Sequence, residues 1–395
     1  GTCPAHIKPA FQTQRKAGRA CRDMIRPDCK NISINCVDAA EWADLRPEWE
    51  RLHASSEAPT FFLSSTWVDA WLAVFGAELN PAFVCLKDGA QTVGIAMMCR
   101  NHQRHGPFKN RQLQLNTAGE GHDSPTLEHN ALLCAAQSRE IFAATLVETA
   151  CGMPWDDLVL SGVRRADFDA IEKACPLPTS ETWRPAPYVD LELQRSTETP
   201  NLASVSRNTR QQIRPSIKLY EARGALELEE ATTPDVALEW FEQLISLHEA
   251  VWRKREKEGA FASPRQRAFH RQIIAKGVPR GEVQLLRVRA GEETVGVVYN
   301  LHHGGHISYY QSGFRYEEDN RIKPGLVCHA LAIQRALDNG YLEYDFLAAA
   351  NDGARYKMSL ANASREFGWI RFRRESLKSK ALDVLVQAKR KVRSQ

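Results

Sequence analysis

The chain has 395 residues, more than one ordinary hydrophobic core takes up, so two domains are expected. Hydrophobic residues make up 43% and charged residues 25%, which excludes a mainly disordered, collagenous or coiled-coil protein. No run of 18 apolar residues is present, so no transmembrane segment is expected. The net charge of +4 divides into +5 over residues 1–31, −8 over the body and +7 over residues 371–395. A nucleic-acid-binding fold would carry its basic charge on the body. The basic ends are either solvated or make weak contact with a membrane surface or RNA. Ten cysteines include no C-x-x-C pair and no zinc spacing, so no metal is expected and a reducing, cytoplasmic compartment fits.

A chain that opens on Gly reads as a fragment or a trimmed product. Residues 1–31 read as a basic extension of low order. A short apolar run at 31–37 precedes two helical patterns, the first capped by Asp38 and the second opened by Pro47. Ser64-Ser65 caps a helix whose Trp67, Trp71 and Phe75 share one face, the pattern of a core stripe. Strands follow at 82–86 and 92–99 around an Asp-Gly hairpin, then at 112–115, 157–160 and 188–193, with helices near 137–151 and 166–174. Four prolines in 176–187 mark a separator between the halves.

The second half is expected to open with a helix over about 199–222, kinked or ended by Pro215. Arg207, Arg210, Arg214 and Lys218 share one of its faces, either a solvated stripe or a binding face for an anionic ligand. A long amphipathic helix covers 234–258, with His248 and Trp252 on its apolar side. His248 is either a core histidine with both nitrogens satisfied or a site residue. A helix near 264–276 leads to strands at 283–290, 294–302 and 306–313. A helix then runs over 325–338, and strands follow at 344–347 and 369–373.

Residues 84–96 and 286–298 match in pattern, with Thr92-Val93-Gly94 in register with Thr294-Val295-Gly296. A glycine inside a strand marks a bulge or a close approach. The shared order of elements around both segments points to a duplicated unit.

The sharpest chemical signal runs from Tyr309-Tyr310-Gln311-Ser312-Gly313-Phe314 to Arg321-Ile322-Lys323-Pro324-Gly325-Leu326. A strand ends, a polar loop follows, and Lys-Pro-Gly opens a helix whose free N–H groups and dipole favour a phosphate. Arg321 and Lys323 add charge. Asp345 sits inside the apolar strand Tyr-Asp-Phe-Leu, where a carboxylate needs a partner, so it is an anchor or a base. His122, Asp123 and Glu128 cluster in a polar loop of the first half.

These segments, with Ser64-Ser65-Thr66-Trp67 and Leu247-His248…Trp252…Gly259-Ala260-Phe261, resemble GNAT-fold acyltransferases of the CelD-like/BioF-like group, related to the Fem peptidyltransferases. The resemblance covers roughly residues 40–375. It implies an α/β (α+β) fold of two tandem GNAT-like domains, each a mixed central sheet flanked by helices. Residues 32–190 would be the degenerate, acceptor-side domain, 191–375 the donor-side domain, and 376–395 a basic C-terminal helix or tail. It further implies acetyl-CoA or another acyl-CoA as co-substrate. The thioester would lie at Gln311, Ser312, Gly313 and Phe314, the pyrophosphate at Arg321, Lys323, Gly325 and Leu326.

By the same resemblance Lys357 would stabilise negative charge near the transferred group and Tyr356 would protonate the leaving thiolate, with Asp345 as a further catalytic candidate. His122, Asp123, Arg207, Arg210, Arg214, His248 and Trp252 are the substrate-side candidates. The loop Arg321-Ile-Lys-Pro-Gly-Leu departs from the usual Gln/Arg-x-x-Gly-x-Gly/Ala pattern. Three readings therefore stand. The first is transfer from an acyl-CoA or carrier-protein thioester to a small amine or hydroxyl acceptor. The second is Fem-like transfer from aminoacyl-tRNA. The third is a non-catalytic scaffold in envelope polysaccharide synthesis.

Overall fold

The computed structural model describes residues 15–16, 32–105, 108–119, 123–196, 205–256, 259–348 and 353–376. The expected basic extension, apart from Arg15–Lys16, lies outside them, as do residues 377–395 and His122. The described residues form two compact units: those up to 65, 71–183 and from 368 on, and those in 66–70 and 184–367. The boundaries thus follow contact, not chain order. Residues 368–375, read as part of the second half, belong to the first unit.

The first unit holds strands β1 (Ile32–Asp38), β2 (Ala82–Asp88), β3 (Gln91–His105), β4 (Phe108–Leu115), β5 (Leu133–Cys134) and β6 (Asp157–Val163). They pair in the order β1-β2-β3-β4-β6, followed by residues 368–373; β4 and β6 are parallel and the other pairs antiparallel. Helix α1 (Trp42–Ala54) stacks Trp42 on Phe83 with centroids 5.2 Å apart. Its run continues straight through Pro47, against the two-helix expectation. Pro47 and the Ala43 carbonyl it deprives of a partner are both on the exposed face, where water replaces the lost bond. After α2 (Ser65–Trp71), Trp67, Trp71 and Phe75 are all buried, as a core stripe should be. Helices α3 (Arg139–Cys151) and α4 (Arg165–Ala174) pack Phe142, Leu146, Phe168 and Ile171 onto the sheet.

In the second unit come β7 (Thr179–Asp190), α5 (Leu191–Arg195), α6 (Arg207–Glu221), β8 (Leu226–Glu230), α7 (Pro234–Lys254) and α8 (Pro264–Gly277). They are followed by β9 (Val283–Ala290), β10 (Glu293–His303), β11 (His306–Phe314), α9 (Pro324–Asp338), β12 (Glu343–Asp345), α10 (Gly353–Leu360) and the start of β13 (Ala363–Arg373), which belongs to this unit as far as Phe367. The sheet order is β7-β12-β11-β10-β9-β8, with only β11 and β12 parallel. Helices α6 and α9 cover one face, burying Ile213, Tyr220, Val327 and Ile333 against Val288 and Val298. The opposite face carries Tyr299 against Phe241 of α7 and His270 of α8.

The proline-rich stretch is a strand, and the units divide within it, between Trp183 and Arg184; Pro185 and Pro187 lie two residues apart, so both missing N–H groups fall on one edge. Residues 191–195 are helical because the Asp190 carboxylate caps the turn, accepting from the Leu193 N–H at 2.9 Å. Helix α6 runs through Pro215 for the reason that α1 runs through Pro47: Pro215 and Gln211 are exposed.

The two hairpins share one register. Leu86 faces Gly94 and Val288 faces Gly296, with a bulge directly after each, and every position of the second hairpin is 202 residues on from its counterpart. Both glycines admit a ring: a Cβ on Gly94 would stand 2.8 Å from the Phe142 ring, and one on Gly296 would stand 2.7 Å from that of Phe314.

Candidate active site

The site of the second unit originates in a strand divergence. Strands β11 and β12 pair only over His306–Ser308 with Glu343–Asp345, while β11 continues along β10 to Phe314. A cavity of about 700 Å³ opens along that continuation. Tyr309, Tyr310, Gln311, Ser312 and Phe314 of β11 line it; Lys323, Gly325 and Leu326 enter from the start of α9, and Tyr356 and Lys357 from α10. His248 and Trp252 of α7 and Thr209 and Gln212 of α6 complete the walls, with Arg255 and Tyr316. Among the described residues its lining holds three cations, Arg255, Lys323 and Lys357, and no carboxylate. An anionic ligand with apolar or planar parts is what such a wall accepts.

Each side chain has a distinct local situation. The Lys323 backbone N–H donates to Ser216 Oγ at 2.9 Å, which ties the head of α9 to α6. Lys357 Nζ donates to the Phe346 carbonyl at 2.6 Å and lies 5.6 Å from the Tyr309 ring centre. The Ser312 N–H donates to its neighbour's Gln311 Oε1 at 3.0 Å. Tyr356 Oη meets His329 Nε2 at 2.9 Å, and burial holds its phenol well above the ordinary tyrosine range. His248 has both nitrogens occupied: Nδ1 against the Ser312 carbonyl at 3.2 Å, and Nε2 accepting from the Ala260 N–H at 3.2 Å. Burial pushes its pKa down, so it is a neutral wall residue.

Several expected residues are elsewhere. Arg321 is spent on Asp319, which it grips through two nitrogens at 2.7–3.1 Å, and it does not line the cavity. Asp345 is an anchor: buried, it accepts from the Leu347 N–H at 2.6 Å and lies 4.0 Å from Arg365. Gly313 serves packing, since a Cβ there would stand 2.4 Å from the Leu244 carbonyl of α7. Arg207, Arg210 and Arg214 lie on the side of α6 away from the cavity, whereas Thr209 and Gln212 of the same helix reach it. Asp123 is exposed in a loop of the first unit, with φ of 53°. His329 had no place in the sequence reading. Its signal was weak, one histidine on the apolar face of α9 four residues after Gly325, the same pattern as His248.

The first unit treats the equivalent place differently. In the second unit Asn300 pairs with Tyr309 and Gly296 with Phe314, so one short bulged strand covers both. In the first, Met98 pairs with Leu115, but Gly94 pairs with Cys134. Residues 116–132 are inserted between those two pairings and return as β5. Asn130 then rivets the gap between β4 and β6: its Nδ2 donates to Leu115 O at 3.0 Å and Ser161 O at 3.1 Å, and its Oδ1 accepts from Asn116 at 2.8 Å. The notch that is open in the second unit is filled here by the chain itself. Replacing the fully buried Asn130 by Ala removes all three of these hydrogen bonds, and Asn116 Nδ2 keeps only its bond to the Ala131 carbonyl. At about 1 kcal/mol or more each, urea unfolding of the first unit should show a loss of roughly 3 kcal/mol.

Residues 207–358 match the family model described as an acetyltransferase (GNAT) domain. The fold is similar to that of FemX, at 9% identity over 82% of this chain and 95% of that one, with a TM-score of 0.56. It is also similar to the C-terminal domain of a putative lysylphosphatidylglycerol synthetase from Agrobacterium fabrum, at 10% identity over 88% and 96%, with a TM-score of 0.53. No curated protein matches. No helix among the described residues is long and apolar enough to cross a membrane. Residues 207–358, around the cavity of the second unit, are thus a GNAT acetyltransferase domain, and the chain has the fold of these Fem-like structures.

Proposed function

We propose that the chain transfers an acyl group from a thioester of the acyl-CoA class to an amine or hydroxyl acceptor, with the second unit on the donor side and the first on the acceptor side. The observation that carries this reading is the parting of β11 from β12 at a cavity with a helix N-terminus, Lys323 and Lys357 on its wall and no acidic residue among the described residues that line it. The donor's phosphates would meet Lys323 and the free N–H groups at Gly325 and Leu326. The thioester carbonyl would take the Ser312 N–H now held by Gln311. Attack on that carbonyl forms the C–N or C–O bond and expels the thiolate. The charge that builds on the carbonyl oxygen during attack is stabilised by the Lys357 ammonium.

The test is a thermal-shift titration with acetyl-CoA, longer acyl-CoAs and free CoA. Saturable stabilisation is expected. Lys323→Ala should weaken binding roughly ten-fold, the worth of one charge-assisted contact, while Arg321→Ala should leave it unchanged. Absence of any shift at millimolar CoA would remove this donor class.

One observation favours a second reading. Between Arg207 and Tyr220, α6 carries four cations and no carboxylate, and its outward cations leave the cavity free. A polyanionic donor such as aminoacyl-tRNA could lie along that face while its acyl end enters. Binding of tRNA that weakens steeply with salt, and is lost in Arg207→Ala/Arg214→Ala, would select it.

A further inference from the structure

On β11, Ser312 offers its main chain to the cavity. Its side chain is spent within the strand, with Oγ 2.6 Å from Tyr309 Oη. The Arg315 N–H donates to the Val295 carbonyl at 2.9 Å. By the alternation of antiparallel ladders, Val297 and Gly313 are then a hydrogen-bonded pair, and Val298 and Ser312 are not. The N–H and C=O of Ser312 therefore point away from β10, to the side where β12 pairs only as far as Ser308. Both are held by side chains: the N–H by Gln311 Oε1 at 3.0 Å and the C=O by His248 Nδ1 at 3.2 Å.

Two glycines make the histidine contact possible. Leu244, Leu247 and His248 lie on one face of α7. A Cβ on Gly313 would stand 2.4 Å from the Leu244 carbonyl and 2.9 Å from Leu247 Cβ. Strand β11 thus lies directly on that face and brings the Ser312 carbonyl within reach of the imidazole. At the other edge of the ring, a Cβ on Gly259 would stand 2.9 Å from Cδ2 and 3.2 Å from Nε2. The segment after α7 rests on the ring there, and its Ala260 N–H reaches Nε2 at 3.2 Å. Phe261, next in line, is buried against Phe241 and His270, which pins the segment.

The partners fix the proton on this ring. A carbonyl only accepts, so Nδ1 carries the hydrogen; a backbone N–H only donates, so Nε2 is bare. A charged ring would lose the Ala260 bond. Burial, which pushes the His248 pKa down, acts in the same sense.

We propose that His248 is a positioning residue: fixed as the Nδ1–H tautomer between two main-chain groups, it ties the Ser312 carbonyl to α7 and to residues 259–261, and so keeps the Ser312 N–H aimed into the cavity. Gln311 is a side chain that can swing aside for a ligand carbonyl. The strand at Ser312 then has no β12 neighbour to hold it, and His248 supplies the restraint. The purpose of the anchor rests on the acyl-transfer reading; the anchor itself does not.

The anchor is tested by NMR on the full chain without ligand. Labelled with 15N-histidine, His248 is identified by its loss in His248→Asn, and it should show Nδ1 protonated and Nε2 bare at neutral pH. An Nε2–H or charged ring overturns the proposal. Carbonyl-13C serine combined with 15N-glycine reports only the two Ser-Gly pairs of the chain, Ser161-Gly162 and Ser312-Gly313. Asparagine places a carboxamide nitrogen where Nδ1 stands and keeps the donor to Ser312. Glutamine places its carboxamide oxygen where Nε2 stands and keeps only the Ala260 bond. His248→Asn should leave the Ser312 carbonyl signal in place, and His248→Gln should move it upfield. No movement in the glutamine variant, or equal movement in both, overturns the anchor.

The functional arm uses acetyl-CoA as donor and hydroxylamine as a small probe nucleophile, followed by hydroxamate formation. His248→Gln should lower kcat roughly ten-fold, the worth of one directed hydrogen bond, with the KM for acetyl-CoA unchanged. His248→Asn should keep most of the rate although it loses the Ala260 bond. The reverse order, with the glutamine variant active and the asparagine variant impaired, would mean that His248 serves residues 259–261 and not Ser312, and overturns the proposal. Failure of acetyl-CoA in the wild type would overturn the donor reading, and the carbonyl spectra would still decide the anchor.

Discussion

Replacing Lys357 by Met is expected to lower turnover by roughly 10²–10³-fold while donor affinity stays within about three-fold. This is the size seen when one preorganised group facing a developing oxyanion is removed. The ammonium is well placed for it: Nζ is anchored on the Phe346 carbonyl at 2.6 Å and is part of the cavity wall. Methionine keeps the length and apolar contacts of the lysine stem, so packing is preserved and charge alone is lost. The measurement is kcat and KM with acetyl-CoA and hydroxylamine, beside a melting curve. A variant that binds the donor poorly but turns over normally would assign Lys357 to ground-state binding instead.

Acid is expected to destabilise the second unit strongly between pH 6.5 and 5. His270, His302 and His329 are buried, and burial lowers their pKa values from 6.5 to about 3, 4 and 3 respectively. A group whose pKa is depressed in the fold binds its proton more readily when unfolded. The stability tied to these neutral rings is complete above pH 6.5 and is lost as pH falls from there toward 3–4. At 1.36 kcal/mol per unit, each ring costs about 2 kcal/mol by pH 5, and the three together about 6 kcal/mol as an upper bound. That is a large part of ordinary domain stability. Urea midpoints taken in steps from pH 7.5 to 5 should fall continuously. A flat profile in that window would mean that these histidines gain compensating partners when protonated. His270→Gln should remove about a third of the slope.

Much of the architecture was legible before the structure. Strand β9 has the limits expected of it, and its neighbours β10 and β11 differ by a residue or so, because alternating β-branched residues between turn glycines leave the backbone few options. The repeated hairpin was legible for the same reason. Its two glycines each admit an aromatic ring that no other residue would leave room for. The helices through Pro47 and Pro215 were misread, since a proline is tolerated wherever the carbonyl it orphans can reach water. Exposure of that kind is a tertiary property.

The site divides in the same way. Lys323, Gly325, Gln311 and Ser312 were identifiable because strand, loop and helix start are contiguous in sequence, and local chain direction brings them to one cavity; Tyr356 and Lys357, farther along the chain, were named by the resemblance alone and line the same cavity. The charge of Arg321 is legible in the sequence, but Asp319, two residues earlier, takes it up, and Arg321 stays off the cavity wall. The arginines of α6 failed because an i, i+3, i+7 stripe names a face and not what that face looks at.

By itself the sequence determined the two-part α/β organisation, the duplicated hairpin and the strand-loop-helix segment from Tyr309 to Leu326, all of which depend on residues close together in the chain. Only the tertiary structure decided which of the two notches is open. Asn130 closes the first by spanning Leu115 and Ser161, and the early parting of β11 from β12 opens the second. It also decided that His329 stands behind Tyr356. Both outcomes depend on hydrogen bonds between residues far apart in the chain, whose partners no local pattern of hydrophobicity or charge specifies.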